Sequence, residues 1–160
     1  MDDHAVIDTP VGRLGLRAQA NVLTSVDFLP DGADLREPLS PFLRTAVARL
    51  RAYFRDRETN FDLALSPTGT AYQRSIWKAL AAIPCGQVQT YAQLAQQAGG
   101  SARSVAAACK ANPWPIIVPC HRVVAKNGLG GYCGATAGRA LENKRWLLRH
   151  EGWKGADGGE

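Results

Sequence analysis

An apolar run, IIVPCHRVV at residues 116–124, sets a cysteine and a histidine side by side between a proline and an arginine. Those residue types fit nucleophilic chemistry. A thiol attacks as its thiolate, and near its ordinary pKa little of it is ionised at neutral pH, so it needs a base or a positive surrounding. His121 and Arg122 supply candidates beside Cys120. The base is in turn oriented by a third group, and Glu151 in LLRHEG is the carboxylate at hand. Prolines at 113, 115 and 119 stiffen the approach and exclude a helix there. Neighbours on a strand point to opposite faces, whereas at a turn into a helix Cys120 and His121 can line one pocket. The competing reading of any cysteine is plain burial. That reading is adopted for Cys85, Cys109 and Cys133, and not for Cys120. With no CxxC and with His4, His121 and His150 scattered, no metal site is expected.

The elements that must hold this loop can be read on either side of it. Residues 4–29 show short alternating runs broken at PVG and QAN, as in antiparallel hairpins. Ser40 and Pro41 then open a helix whose apolar stripe is Leu43, Ala46, Val47, Leu50 and Phe54. NFDLAL reads as one more short strand, and SPTGT as a linker. Thr70 with Gln73 forms a capping box before a helix with Ile76, Trp77, Leu80 and Ile83 on its core side. Thr90 with Gln93 repeats the box before YAQLAQQAG, and Ser101 caps ARSVAAACKAN, which must stop before Pro113. These last two helices, joined by a Gly-Gly turn, form a helix-turn-helix candidate. A helix that reads bases carries long polar side chains. Here Ala106, Ala107 and Ala108 leave it smooth, which suits either tight core packing or close approach to a groove without reading sequence.

The chain has 160 residues, 46% hydrophobic and 21% charged, ordinary for a globular protein of one domain or two small ones. No apolar run is long enough to cross a bilayer, and MDDHAVIDTP lacks the character of a signal peptide, so a cytoplasmic location without disulfides is the default. The net charge of +5 is unevenly spread. From Gln73 up to Glu142 there is no acidic residue, while Arg74, Lys78, Arg103, Lys110, Arg122, Lys126 and Arg139 fall in that window. Such a window is the footprint of a phosphate-facing surface.

PCHRVV preceded by NPWPIIV, together with IPCGQVQTYAQLA, ARSVAAACKANP and KRWLLRHEG in this order, resembles the O6-alkylguanine-DNA alkyltransferases over roughly residues 72–152. IDTPVGRLGLRA is similar to that family's less distinctive first domain. The resemblance implies an α/β (α+β) fold: a ribonuclease-H-like α/β domain with linker at 1–68, and a mainly helical, winged-helix-like domain at 69–160 that binds DNA and carries the acceptor. It implies stoichiometric transfer of an alkyl group from guanine O6, and from O4-alkylthymine as well, to Cys120. His121 would take the thiol proton through a water, and Glu151 would orient His121. Asn112 would tie the helix-turn-helix to the active-site loop. Tyr91 would crowd the target's 3′ phosphate and give a proton to the departing guanine. Lys144 matches a family lysine near the site. Arg103 would enter the stack in place of the extruded nucleotide, with Ala102, Ser104, Ala106, Ala107, Lys110 and Arg122 also facing DNA. Val123, Gly131, Tyr132, Cys133 and Trp114 would form the pocket. The implied partner is double-stranded alkylated DNA entered through the minor groove, with a monomeric protein, no cofactor and no membrane.

This composition fits such a task. Chemistry on a base inside a duplex requires extrusion, and a lesion can occur in any sequence, so a smooth helix with one intercalating arginine is apt. Two departures stand out. Cys133 occupies a place where a small residue is expected, and GATAGRALENK is longer than the family's usual connection. Three rivals predict other things. A non-reacting damage binder lacks the acceptor cysteine, an alkylation-sensing activator needs further domains, and a Cys-His hydrolase turns over repeatedly.

Overall fold

Three antiparallel strands, β1 (Asp2–Thr9), β2 (Gly12–Gln19) and β3 (Val22–Phe28), form a meander in the computed structural model, which describes residues 2–156. The β2–β3 connection is a two-residue turn with Ala20 and Asn21 both at positive φ, the primed geometry whose twist matches its strands. β1 alternates strictly. Asp3, Ala5 and Ile7 are buried while the residues between them are not. Helix α1 (Pro41–Arg55) covers that face with Leu43, Ala46, Val47 and Leu50. Ser40 caps it as expected, accepting from the Leu43 amide. Asp3 accepts from the Leu39 and Ser40 amides at 2.8 and 2.7 Å, fastening the entry of α1 to β1. Two expectations fail here. The fifth inward residue of α1 is Tyr53, not Phe54: both fit the helical spacing, and it is Tyr53 that is buried, with its ring 5.5 Å from that of Phe61. NFDLAL forms no strand; its backbone pairs with β3 at the isolated bridge of Leu23 with Leu65.

The chain divides into compact units Met1–Pro67 and Thr68–Glu160. In the second unit, α2 (Ala71–Ala81), α3 (Tyr91–Ala98) and α4 (Ala102–Lys110) each begin with a complete capping box, from Thr70/Gln73, Thr90/Gln93 and Ser101/Ser104. Gly99 and Gly100, both at positive φ, make the turn between α3 and α4. Two short parallel strands, β4 (Gln89–Thr90) and β5 (Val123–Val124), join the start of α3 to the residues after Cys120. Helix α5 (Arg139–His150) closes the unit. Among the described residues, no helix is long and apolar enough to cross a membrane.

Candidate active site

The loop that carries Cys120 is a chain of tight turns. The Val118 amide donates to the Trp114 carbonyl, and Ile116 between them is held at φ 77°. A β-branched residue there is strained. Pro119, at φ −81° and ψ 67°, is the centre of an inverse γ-turn closed by the Cys120 amide donating to Val118 O at 2.8 Å. A single 3₁₀ turn, Cys120–Arg122, follows and runs into β5. The side chains of Cys120 and His121 are therefore carried on a turn rather than alternating on a strand.

Asn112, just past α4, locks this loop. Its Nδ2 donates to Val118 O at 2.9 Å, its Oδ1 accepts from the Trp114 amide at 3.0 Å, and its side chain also hydrogen-bonds the Cys120 thiol. Burial pushes the Cys120 pKa up, opposed by Asn112 and by the charge of Lys144. The resting group is a neutral thiol with its thiolate-stabilising partners already in place.

His121 is fully buried, and its Nε2 lies 2.8 Å from Glu151 Oε2. Burial holds the His121 pKa below its ordinary value against the pull of Glu151, so the ring is neutral near pH 7. In that state Nε2–H donates to the carboxylate and Nδ1 is the free base. Nδ1 is buried and has no hydrogen-bond partner among the described residues. Glu151 is buried as well, which would raise its pKa, but His121 and Arg122 hold it well below the usual carboxylate range.

Arg122 was grouped with the DNA-facing residues, and the structure turns it inward. Its Nε and Nη2 donate to the two Glu151 oxygens at 2.8 and 3.0 Å, and Nη1 donates to Ile83 O at 2.6 Å. A guanidinium matches a carboxylate's planar fork, and these bonds commit all three of its nitrogens to partners within the fold. Trp114 also moves out of the expected pocket. It packs edge-to-face on Trp77, with ring centroids 5.6 Å apart, and supports the loop from the core.

Lys144 is fully buried, and its three N–H donors are all used, on Val123 O, Leu129 O and Gly131 O at 2.6, 2.6 and 2.8 Å. It pins β5 to the Gly-rich segment that follows. Burial lowers its pKa to about 8, resisted by the thiols of Cys120, Cys109 and Cys133.

A cavity of about 310 Å³ opens between α4 and the segment after β5, with Cys109 in its lining. Ala106, Ala107 and Lys110 of α4 form one side, Gly131, Tyr132 and Gly134 the other, with Tyr91 between. Burial raises the Tyr91 pKa to about 12, and the Cys109 and Cys120 charges add to the shift. The Tyr91 hydroxyl lies 3.4 Å from Gly131 O. The long connection noted in the sequence begins with a tight turn. Tyr132 and Ala135 exchange both backbone hydrogen bonds, with Cys133 and Gly134 at positive φ between them. This is the primed hairpin turn again, and it exposes Cys133 at its tip, against the reading of that residue as a packing cysteine. Gly134 sits so close to the Lys110 stem that a Cβ there would lie 3.0 Å from Cε.

Two residues given a packing part in the sequence also serve the site. Cys109 lines the cavity although it was set aside as structural, and Ile83 supplies the carbonyl that completes Arg122. No sequence signal marks either one, since both roles come from long-range packing. On α4, Val105 and Ala108 are buried, while Ala102, Arg103, Ala106, Ala107 and Lys110 are exposed. Core packing therefore does not account for the smooth side of this helix. Among the described residues no His, Cys, Asp or Glu cluster could hold a metal ion.

Residues 71–153 match the model of the 6-O-methylguanine DNA methyltransferase DNA-binding domain, and residues 4–67 match that of its ribonuclease-like domain. The chain belongs to the 6-O-methylguanine DNA methyltransferase family. A methylated-DNA--protein-cysteine methyltransferase of Methanosarcina acetivorans is 37% identical over 93% of this chain and 97% of its own length. The Shigella flexneri protein of the same name is 49% identical, but the match spans 66% of this chain and 61% of that relative's length. Among solved structures, the O6-methylguanine methyltransferase of Mycobacterium tuberculosis is similar with a TM-score of 0.79 at 37% identity, over 94% of this chain and 93% of that one. The M. tuberculosis protein in complex with DNA gives a TM-score of 0.75 at 38% identity, over 92% and 91% of the two chains. The mixed α/β architecture, with a small sheet domain followed by a helical one, is that of this family.

Proposed function

We propose that this protein repairs DNA by taking the alkyl group from O6-alkylguanine, and from O4-alkylthymine, onto Cys120, once per molecule. The observation that carries the reading is the buried row Cys120–His121–Glu151–Arg122, with the only unpartnered ring nitrogen of His121 being the one that can act as base. His121 Nδ1 takes the thiol proton through a water, and Glu151 stabilises the imidazolium that forms. Asn112 and the Lys144 ammonium stabilise the thiolate. Sulfur attacks the alkyl carbon in line with O6; the C–S bond forms as the C–O bond breaks. Tyr91, whose raised pKa keeps it protonated, gives its proton to the departing guanine. The thioether has no reverse path, so one protein molecule acts once.

The proposed partner is double-stranded DNA approached from the minor groove by a monomer. The exposed alanines of α4 permit close contact without base preference, and Arg103 fills the place of the extruded nucleotide. Residues 69–160 would carry both tasks, with 1–68 as a separate domain. The test is the intact mass of wild type and Cys120→Ser after mixing with a duplex holding one O6-methylguanine. Wild type should gain one methyl group in place of a proton, stoichiometrically, and Cys120→Ser should gain none. Tight duplex binding with unchanged mass, or repeated turnover, overturns the proposal.

A further inference from the structure

Base extrusion puts a mechanical demand on the start of α4. Unstacking a nucleotide costs a few kcal/mol, and that load bears on the residue that enters the stack, here Arg103 in the first turn. Yet the α3–α4 turn is two consecutive glycines at positive φ, the most permissive backbone available. The Ser101/Ser104 capping box binds α4 only to itself.

Tyr72, near the start of α2, makes the outside connection. Its hydroxyl lies 2.8 Å from Ser104 Oγ and donates to Gly99 O at 3.0 Å, so one group touches both the turn and the first turn of α4. Ser104 Oγ also accepts from the Ser101 amide at 2.9 Å, which joins the tyrosine to the capping box. The fit is close: a Cβ on Gly100 would stand 2.5 Å from the Tyr72 oxygen and 2.4 Å from Ser104 Oγ. At the other end of α4, Trp77 Nε1 donates to Ala108 O at 2.8 Å, satisfying a carbonyl of the last turn. Two side chains of α2 thus hold α4 at two points about one turn apart. Such a pair sets the direction of a helix, which a single contact cannot do.

We propose that Tyr72 is a positioning residue for base extrusion, its hydroxyl bracing the start of α4 so that Arg103 can hold the stack open. This rests on the repair reading above. The Tyr72 hydroxyl bonds to Gly99 and Ser104 and not to the residues around Cys120, so its effect should be confined to substrates that must be extruded.

The experiment compares methyl-transfer rates of wild type and Tyr72→Phe on a duplex with one O6-methylguanine and on the free base O6-methylguanine, which needs no extrusion. The phenylalanine keeps the ring and removes the hydroxyl. Losing its hydrogen bonds should slow the duplex reaction about three- to tenfold and leave the free-base rate unchanged. In an Arg103→Ala background, Tyr72→Phe should cost no more, because a brace without its load has nothing to hold. Equal loss on both substrates, no loss on the duplex, or a full additional loss beside Arg103→Ala each overturns the proposal. Failure of wild type on both substrates would instead overturn the repair reading itself.

Discussion

Glu151 serves two masters. One carboxylate fixes the tautomer of His121 and neutralises Arg122, and neither task leaves it free to ionise differently. Its pKa in the fold lies well below the unfolded value, so its contribution to stability is full above about pH 4.5 and is lost as the pH falls through the folded value. Replacing Glu151 by Gln should cost about 3 kcal/mol at pH 7, since it leaves a guanidinium buried without its counter-charge. Because the variant has no such carboxylate to protonate, the gap between the two proteins should close as the pH drops below 4.5. Urea unfolding at a series of pH values reads this directly, and a gap independent of pH would show that the charge of Glu151 does not matter. The pairing of Glu151 with His121 was legible in the sequence because nucleophile, base and orienting acid are a recurring set. The inward turn of Arg122 was not, because its partners lie 29 and 39 residues away and only the fold brings them together.

At the scale of elements, what the sequence announces is local. The two capping boxes read at Thr70/Gln73 and Thr90/Gln93 form, and Ser101 caps α4 as read, with Ser104 completing a box that was not foreseen. Packing across elements is less visible. Spacing alone could not choose between Tyr53 and Phe54, and apolar character alone made a strand of NFDLAL where the chain pairs at one bridge only. The smoothness of α4 left two readings open; burial accounts for Ala108, while Ala106 and Ala107 are exposed and core packing does not account for them. Between α4 and the cysteine loop stands Asn112, whose amide joins the two elements at both of its atoms. Asn112→Ala should therefore lower stability by about 2 kcal/mol, the cost of leaving the Trp114 amide unpaired and taking one of two donors from Val118 O. It should also slow transfer to free base and to duplex alike, since the thiol loses a partner in both. Rates on the two substrates, measured beside a thermal melt, separate this from a defect in DNA binding.

For the molecule as a whole, six of the seven basic residues in the acid-free window are exposed: Arg74, Lys78, Arg103, Lys110, Lys126 and Arg139. Duplex binding should weaken steeply with salt, each phosphate contact contributing about 0.9 to the log–log slope. Lys110→Gln should reduce that slope by about one such step, whereas Arg122→Gln should leave the slope unchanged and lower the melting temperature. Fluorescence anisotropy at several salt concentrations distinguishes them, and a changed slope for Arg122→Gln would place that residue on DNA after all. Cys120 itself is 5% exposed in a loop held by proline turns on one side and Asn112 on the other. An added methyl group there is an insertion into a packed interior, which costs about 1–3 kcal/mol. The reacted protein should melt several degrees below the unreacted one, at about 2–4 °C for each kcal/mol. Scanning calorimetry before and after reaction tests this. The depth at which the fold keeps its nucleophile would then give the cell a way to tell spent molecules from fresh ones: the used copies are the ones that come apart first.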